Sequence, residues 1–255
     1  MKKYIIFASL AILLGLLLFS FIPNKRYLGK HEQVPTLQHK GFAILELFTS
    51  QGCSSCPPAD ELLGKYVQQN DSNIIALSFH VDYWNRLGWK DPFSTAAYTD
   101  RQRKYAANFQ LDGPYTPQLV INGQKEMVGS DEDKITAAVS NFLSIKNPVN
   151  IKIGDLVVNG DKVTVNYKIN GNNANAITLI ALVQRSATTN IRAGENNGVK
   201  LKNYNIVRDF VSLENDPTAI LHLPAGTNAS EFSVIIFSQN KKSLIINGAA
   251  ARNIL

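Results

Sequence analysis

The strongest constraint on folding is the cysteine content, because the chain has only two cysteines and they lie three positions apart, as Cys53-Ser-Ser-Cys56. A short apolar run, residues 41–49, precedes the pair, and Pro57 and Pro58 follow it at the start of a helical pattern. A disulfide-stapled scaffold would need more cysteines at wider spacing. The pair therefore predicts redox chemistry or metal binding where a buried strand meets a helix.

The region from residue 41 to residue 147 alternates between apolar strand-like runs and helical patterns. We predict the element order β-α-β-α-β-β-α for this region, which is an α/β pattern. After residue 147 the pattern changes to short strand-like runs separated by Asn-Gly and Pro-Ala-Gly turns. We therefore predict that residues 148–255 form a small all-β domain of the sandwich type.

The N-terminal segment, residues 1–23, contains an uncharged run from Tyr4 to Ile22. In a helix this run would reach roughly 28 Å, close to the hydrocarbon thickness of a bilayer. Because no A-x-A-like cleavage site follows, we expect a membrane anchor, with a cleaved signal peptide as the alternative. Residues 24–40 are polar and predict a linker. The remaining chain is expected in the bacterial cell envelope, facing the periplasm or exterior, or secreted if the segment is cleaved.

The composition excludes two broad classes of protein. Hydrophobic residues make up 45% of the chain and charged residues 18%, which is enough to bury a core and is not typical of disorder. The net charge of +6 is spread along the chain, without a basic block interleaved with aromatic residues. We therefore expect no nucleic-acid partner.

The cysteine spacing allows a reducible disulfide at a helix N-terminus, where exposed N–H groups favour a thiolate. In this interpretation Cys53 is the nucleophile and Cys56 resolves the mixed disulfide. The alternatives are metal binding and a short structural disulfide. Pro57 disfavours helical backbone at Cys56, so the helix is expected to begin at Pro57 and to leave Cys53 in the loop.

A second group of candidate residues follows the predicted strand 73–81. If strand ends meet at one sheet edge, this loop lies beside the cysteines. His80 is a candidate for proton transfer or metal binding, or a core histidine. Asp82 is a candidate substrate-binding residue or a strand-end cap. Trp84 and Trp89 are candidates for a substrate-binding wall, or pack against the β domain.

The order of strand, C-x-x-C, helix and a later Thr116-Pro117 before a strand resembles the thioredoxin superfamily. Four longer stretches are similar to a narrower, uncharacterised bacterial secreted family, the domain of unknown function 1223, as is GENNG (194–198). The stretches are LELFTSQGCSSCPPAD, FHVDYWNRLGWKDPF, TDRQRKYA and YTPQLVING. The resemblance covers residues 42–250 and implies a thioredoxin-like domain over 41–147 in an extracytoplasmic protein, but no established activity.

The resemblance also implies roles for particular residues. A cis bond before Pro117 would place this proline beside the cysteines, where substrate backbone docks, with Thr116 as a substrate-binding neighbour. The chain departs from thioredoxin in having Gly52 where an aromatic residue precedes the first cysteine. Its strand acid, Glu46, is displaced by one position, which turns it to the other face of the strand. Glu46 is either a proton acceptor for Cys56 or a buried, hydrogen-bonded acid.

Three functions remain open from the sequence. The first is a thiol–disulfide oxidoreductase acting on extracytoplasmic proteins or small thiols, with the redox-active disulfide and no other cofactor. The second is copper or zinc binding by Cys53, Cys56 and His80, because thiolate and imidazole ligands suit those metals. The third is a non-catalytic binding module. A proline placed to dock backbone favours the redox function, because metal binding does not need it.

Overall fold

The computed structural model describes residues 41–173, 175–214 and 216–255. All of them belong to one compact unit, and within them the chain forms eleven strands and three α-helices. The helices are α1 (Pro57–Gln69), α2 (Ala96–Asn108) and α3 (Glu132–Ser144). The strands are β1 (Ala43–Thr49), β2 (Ile74–His80), β3 (Gln118–Ile121), β4 (Lys125–Val128), β5 (Val149–Asn159), β6 (Lys162–Gly171), β7 (Ala176–Asn190), β8 (Lys200–Leu213), β9 (Thr218–His222), β10 (Phe232–Asn240) and β11 (Ile246–Asn253).

Eight strands form one mixed sheet in the order β11-β10-β7-β8-β2-β1-β3-β4. The predicted fold, a β-α-β-α-β-β-α thioredoxin-like domain followed by a small all-β, sandwich-like domain, is therefore wrong. β2 and β8 run parallel and pair at Ser78 and Ile206, so strands from both sides of residue 147 share this sheet. The other three strands form an antiparallel sheet in the order β5-β6-β9.

The fold prediction failed because strand pairing depends on contacts between distant parts of the chain. Local hydrophobic patterns predict each strand separately and do not say which strands become neighbours. The first half of β8 also hides its alternation, because the inward-facing positions hold Leu201 and a polar Asn203 between exposed lysines. β11 has the sequence INGAAARN, whose glycine and small side chains are not typical of a strand. Without these segments the sheet cannot be extended beyond β2.

Both faces of the large sheet are covered near β1 and β2, because successive side chains of a strand point to opposite faces. Leu45 and Leu47 pack with residues of α1 and α3 on one face. Ile44 and Phe48 pack with residues of α2 on the other face. Farther along, the three-stranded sheet packs its apolar residues against β7 and β10. The cysteine loop leaves β1 between these packed layers and leads directly into α1.

The start of α1 agrees with one sequence expectation and corrects another. The helix begins at Pro57, as expected, with Cys56 as its N-cap. The backbone of Cys56 nevertheless has helical angles, φ −80 and ψ −34, although a following proline disfavours that region. The cysteine turn therefore overrides the local preference imposed by Pro57.

In the part of the chain that the structure describes, no helix is long and apolar enough to cross a bilayer. The predicted anchor or signal peptide, residues 1–23, and the predicted linker, residues 24–40, lie outside the described residues.

Candidate functional site

Cys53 and Cys56 form a disulfide at the start of α1, with their Cα atoms 5.5 Å apart. The Cys56 N–H donates to the Cys53 carbonyl oxygen at 3.2 Å, which closes a tight turn around the pair. Both cysteines are fully buried, whereas Ser54 and Ser55 between them are exposed. The disulfide therefore lies just beneath the surface, under the turn that it closes.

The sulfur of Cys53 has two hydroxyl neighbours. The Thr116 hydroxyl donates to Cys53 Sγ at 3.3 Å, and the Ser55 hydroxyl lies 3.4 Å from the same atom. Trp84 Nε1 donates to Thr116 Oγ1 at 2.8 Å, which fixes the position of that hydroxyl. Hydrogen bonds of this kind favour the charged form of an ionisable group. Both hydroxyls therefore lie within hydrogen-bonding distance of the sulfur of Cys53.

The Thr116–Pro117 peptide bond is cis and lies against the start of α1. A Cβ atom added at Gly129 would lie 3.2 Å from the Cβ of Ala59 and 3.3 Å from the Cβ of Pro117. Gly129 thus leaves room for Pro117 to approach the first turn of the helix. The structure brings Thr116 and Pro117 to the cysteine pair.

Residues 193–197, which we call the capping segment, cover the cysteine loop from the second half of the chain. The buried Asn196 donates from Nδ2 to the carbonyl oxygens of Gln51 and Cys53, at 2.9 Å each. The Ser54 N–H donates to Glu195 Oε2 at 3.0 Å. These bonds give a structural role to GENNG, for which the sequence suggested none.

Asp60 is a buried acid one helical turn beyond Cys56, and its N–H donates to the Cys56 carbonyl oxygen at 3.1 Å. Its Oδ2 accepts a hydrogen bond from the Thr49 hydroxyl at 2.9 Å, whereas Oδ1 has no partner among the described residues. The side chain of Asn203 lies near this carboxyl without completing a hydrogen bond to Oδ1. Burial raises the pKa of Asp60 to about 6, although the charge on His80 opposes the change.

His80 and Asp91 form a second buried pair on the same face of the sheet. His80 Nδ1 donates to Asp91 Oδ2 at 2.7 Å, and His80 Nε2 has no partner among the described residues. Burial is the largest influence and lowers the pKa of His80, but the charges of Asp91 and Asp60 outweigh it and raise that pKa. Asp91 Oδ2 also accepts from the Gln51 N–H at 2.8 Å, which links the pair to the cysteine loop.

The model of the family described as Protein of unknown function (DUF1223) matches residues 44–239, more than half of the chain. The chain belongs to this family. The membership predicted from the sequence is confirmed, whereas the family match does not extend to the thioredoxin-like superfamily. No curated protein matches the chain.

Two solved structures are similar to this DUF1223 protein. Protein AGR_C_4864 from Agrobacterium tumefaciens is 30% identical, with 84% of this chain and 94% of that chain covered and a TM-score of 0.64. HBP35 of Porphyromonas gingivalis is 14% identical, with coverage of 84% and 75% and a TM-score of 0.58. The second likeness concerns the fold alone.

Two of the predicted site residues of the DUF1223 protein lie away from the disulfide. Glu46 faces α2, where it accepts from Arg101 Nε at 2.7 Å and from the Tyr105 hydroxyl at 2.5 Å. Asp82 accepts from the Thr99 hydroxyl at 2.6 Å. These contacts correspond to a bonded strand acid and a strand-end cap, the structural alternatives for these two residues.

The other predicted residues lie near the cysteine loop to different degrees. Trp84 reaches Cys53 through Thr116, and Trp89 Nε1 donates to Gln51 Oε1 at 3.1 Å. His80 is linked to the loop through Asp91. Among the residues that the structure describes, no group of three histidine, cysteine or acidic side chains is arranged to hold a metal ion. The copper or zinc set of Cys53, Cys56 and His80 is therefore not assembled in this disulfide-bonded form.

Sequence reasoning missed Asp60, Asp91 and the capping segment. A signal for Asp60 was present, because a residue four positions after Cys56 lies on the same face of a helix. The helix dipole alone also favours an acid in the first turn, so the position by itself does not indicate a functional group. Asn196 and the bond between Asp91 and Gln51 carry no comparable local signal, because these partners are distant in sequence.

Proposed function

We propose that this DUF1223 protein catalyses thiol–disulfide exchange outside the cytoplasm, with Cys53 and Cys56 as the redox pair. The observation that carries the proposal is the disulfide at the start of α1 with the buried Asp60 one turn beyond it. One oxygen of Asp60 has no partner among the described residues, and its pKa is raised to about 6. Ionisable groups with shifted pKa values are concentrated at functional sites, because proton transfer needs a group that titrates near the working pH.

The exchange begins when a partner thiolate attacks Cys53 Sγ. A mixed disulfide forms between the partner and Cys53, and the bond to Cys56 breaks with its electron pair on Cys56 Sγ. A second partner thiolate then attacks the mixed disulfide, which releases the oxidised partner and leaves Cys53 as a thiolate. The partner loses two electrons and the cysteine pair gains them; the same steps in reverse reduce a partner disulfide.

Asp60 handles the proton of Cys56 in this scheme. The neutral carboxyl gives its proton to the Cys56 thiolate when the disulfide opens, and the carboxylate takes the proton back when the disulfide closes. A cavity of about 200 Å³ is lined by Asp60, Glu61 and residues 200–204. Through this cavity Asp60 can exchange its proton with solvent while a partner molecule is bound at Cys53.

Access to the disulfide requires a small movement, because both cysteines are fully buried. The capping segment lies against the backbone of the cysteine loop, held by the two bonds from Asn196 and the bond to Glu195. On the other side lie Trp84 and Thr116. Displacement of the capping segment breaks three hydrogen bonds and leaves the hydroxyls that stabilise a Cys53 thiolate in place.

The proposed compartment rests on two features. Disulfides persist mainly in oxidising environments outside the cytoplasm. The uncharged run at residues 4–22 is the kind of segment that targets or anchors a protein to the membrane. The proposed partners are proteins or small molecules that carry thiols or disulfides in that compartment.

The test is a redox titration of the purified full-length protein. The protein is equilibrated in glutathione buffers of graded potential, and unpaired thiols are counted by alkylation and mass spectrometry. We expect a reversible two-electron couple that is lost in Cys53→Ser and kept in the matched hydroxyl variant Ser54→Ala. A cysteine pair that stays oxidised under strong reductant would identify a structural disulfide and reject the proposal.

The same preparation separates the metal and binding alternatives. The reduced protein is incubated with copper(I) or zinc(II), and bound metal is quantified in the wild type, Cys53→Ser and His80→Gln. Stoichiometric metal that needs all three side chains, without disulfide exchange, would replace redox chemistry by metal binding. The cysteine pair could titrate reversibly and still exchange with proteins and small thiols no faster than free glutathione does. In that case the binding module would be the remaining function.

A further inference from the structure

A cavity of about 420 Å³ lies on the α2 side of the large sheet, the face opposite α1. Its walls come from α2, β7, β8 and the turn between β10 and β11. The apolar part of the wall includes Ile177, Leu179, Phe210 and Leu244. A concave, largely apolar cavity of this size with a few polar groups is typical of a site for a small molecule.

Arg101 is a charged member of the lining, and its guanidinium is held in a fixed position. Its guanidinium lies over four aromatic rings, with centroid distances between 5.1 and 5.5 Å. It donates to Glu46, Gln239 and the Tyr105 hydroxyl. These bonds use three of its five N–H donors, and the other two have no acceptor among the described residues. Two preorganised donors thus remain for a ligand that can accept both.

The charge of the lining favours an anion. Lys104 and Lys241 lie with Arg101 in the lining, which contains no acidic side chain among the described residues. Glu46 balances Arg101 from the side away from the cavity, and Glu214 pairs with Lys241 at 2.5 Å. Lys104 has no such partner among the described residues, so the lining keeps a positive charge at its rim.

We propose that this cavity binds a small amphiphilic carboxylate, a molecule with an apolar body and one carboxylate group. The carboxylate lies at Arg101 and Lys104, because a planar guanidinium matches a carboxylate geometrically and a lysine adds charge. The apolar body packs between Leu179, Phe210 and Leu244. This site lies on the other face of the sheet from the disulfide and does not depend on the proposed redox function.

The test uses hydrocinnamate as the probe and its amide as the neutral match. Binding of each to the full-length protein is measured by ligand-observed NMR and by calorimetry. We expect the carboxylate to bind at least about tenfold more tightly than the amide, because charge-assisted hydrogen bonds are the stronger ones. Equal affinity for the two, or no binding of the carboxylate at millimolar concentration, would overturn the proposal.

Two variants locate the site. Ser212→Trp fills the cavity from β8 and should abolish binding, whereas Ser186→Trp, on an exposed part of β7 outside the lining, should not. Lys104→Met should weaken binding of the carboxylate alone. The redox couple of the cysteines should be unchanged in Ser212→Trp, so failure of one proposal is separable from failure of the other. Carboxylate binding that persists in Ser212→Trp would place the probe elsewhere and overturn the assignment.

Discussion

Two buried carboxylates, Glu46 and Asp60, lie on opposite sides of the same sheet and differ in how their oxygens are satisfied. Glu46 accepts one hydrogen bond at each oxygen, from Arg101 and from Tyr105. Asp60 accepts one at Oδ2 from Thr49, and Oδ1 has none among the described residues. A fully paired buried acid holds its neighbours in place, whereas an incompletely paired one binds a proton more readily.

The two acids also differ in their position relative to Cys56. Glu46 is the acid for which the sequence suggested proton transfer with this cysteine, whereas Asp60 is the acid in the adjoining helix. Glu46 lies on the α2 face, where a cation and a tyrosine fully occupy it. Asp60 lies on α1 itself, in the same helix as the N-cap Cys56, and its charge interacts with that of His80. The comparison therefore predicts that variants of the first group, Glu46 and Arg101, change only the stability of the fold. Variants of the second group, Asp60 and its neighbours, should raise stability and slow proton transfer.

The largest expected effect is in the Glu46 group. Arg101→Met leaves Glu46 fully buried without its cation and should lower the free energy of unfolding by about 3–5 kcal/mol. Urea denaturation followed by circular dichroism measures the loss. The redox couple of the protein that remains folded should be unchanged, because Arg101 does not contact the cysteine loop.

Two controls accompany this variant. Arg103→Met, on the same helix, removes an exposed ion pair with Asp100 and should barely change the urea midpoint. Glu46→Gln combined with Arg101→Met removes both charges and should recover part of the lost stability. Equal losses for Arg101→Met and Arg103→Met would contradict a structural role for the buried pair.

In the second group, Asp60→Asn should stabilise the protein above pH 6. A carboxyl whose pKa rises from 3.8 in the unfolded chain to about 6 in the folded protein is destabilising once ionised. The penalty develops as the pH rises from about 4 to 6 and then stays at roughly 3 kcal/mol, since one pKa unit corresponds to about 1.4 kcal/mol. Urea denaturation at pH 8 should therefore show a gain, and at pH 3 none.

The same variant should slow disulfide exchange, because it removes the proposed proton acceptor of Cys56. Gln68→Ala, at an exposed position of the same helix outside the cavity beside Asp60, should change neither property. His80 adds a separate pH dependence: its raised pKa contributes stability that is present below pH 6.5 and is lost as the pH rises through the folded value. If Asp60→Asn leaves the stability at pH 8 unchanged, the ionised Asp60 carboxylate does not destabilise the fold. That result would contradict the contrast drawn between Asp60 and Glu46.

The sequence was sufficient for local elements and insufficient for their assembly. The predicted strands at 41–49 and 73–81 correspond to β1 and β2, and the helix after Pro57 corresponds to α1. Their hydrophobic patterns are local and strong. The pairing of β2 with β8 was missed because the polar Asn203 occupies an inward position in a segment that otherwise resembles a loop.

The candidate site was predictable to a similar extent. The cysteine pair, Thr116 and Trp84 lie together, and their positions follow strand ends that the pattern located. Asn196 could not be assigned, because its two partners lie 145 and 143 positions away, and the bond from Asp91 to the cysteine loop spans 40 positions. Polar contacts over such separations leave no periodic trace in a single sequence.

A smaller effect is expected when the cover of the disulfide is loosened. Asn196→Ala removes two hydrogen bonds to buried carbonyl oxygens and should cost about 2 kcal/mol of stability. It should also speed reduction of the disulfide by a small thiol several-fold, because the capping segment then moves aside more easily. Asn197→Ala, an exposed neighbour, is the matched control. A loss of stability without faster reduction would mean that partners reach Cys53 from the Trp84 side.

The smallest expected effect separates the two tryptophans. Trp84→Phe and Trp89→Phe each remove one indole donor from a partly buried hydrogen bond, to Thr116 and to Gln51, and each should cost about 1 kcal/mol in urea denaturation. Only Trp84→Phe releases the hydroxyl that donates to Cys53 Sγ, so it alone should raise the pKa of the reduced Cys53 thiol. The pH dependence of alkylation measures that pKa. Equal changes of the Cys53 pKa in both variants would show that Thr116 does not stabilise the thiolate. Ser55 would then be the hydroxyl that stabilises it.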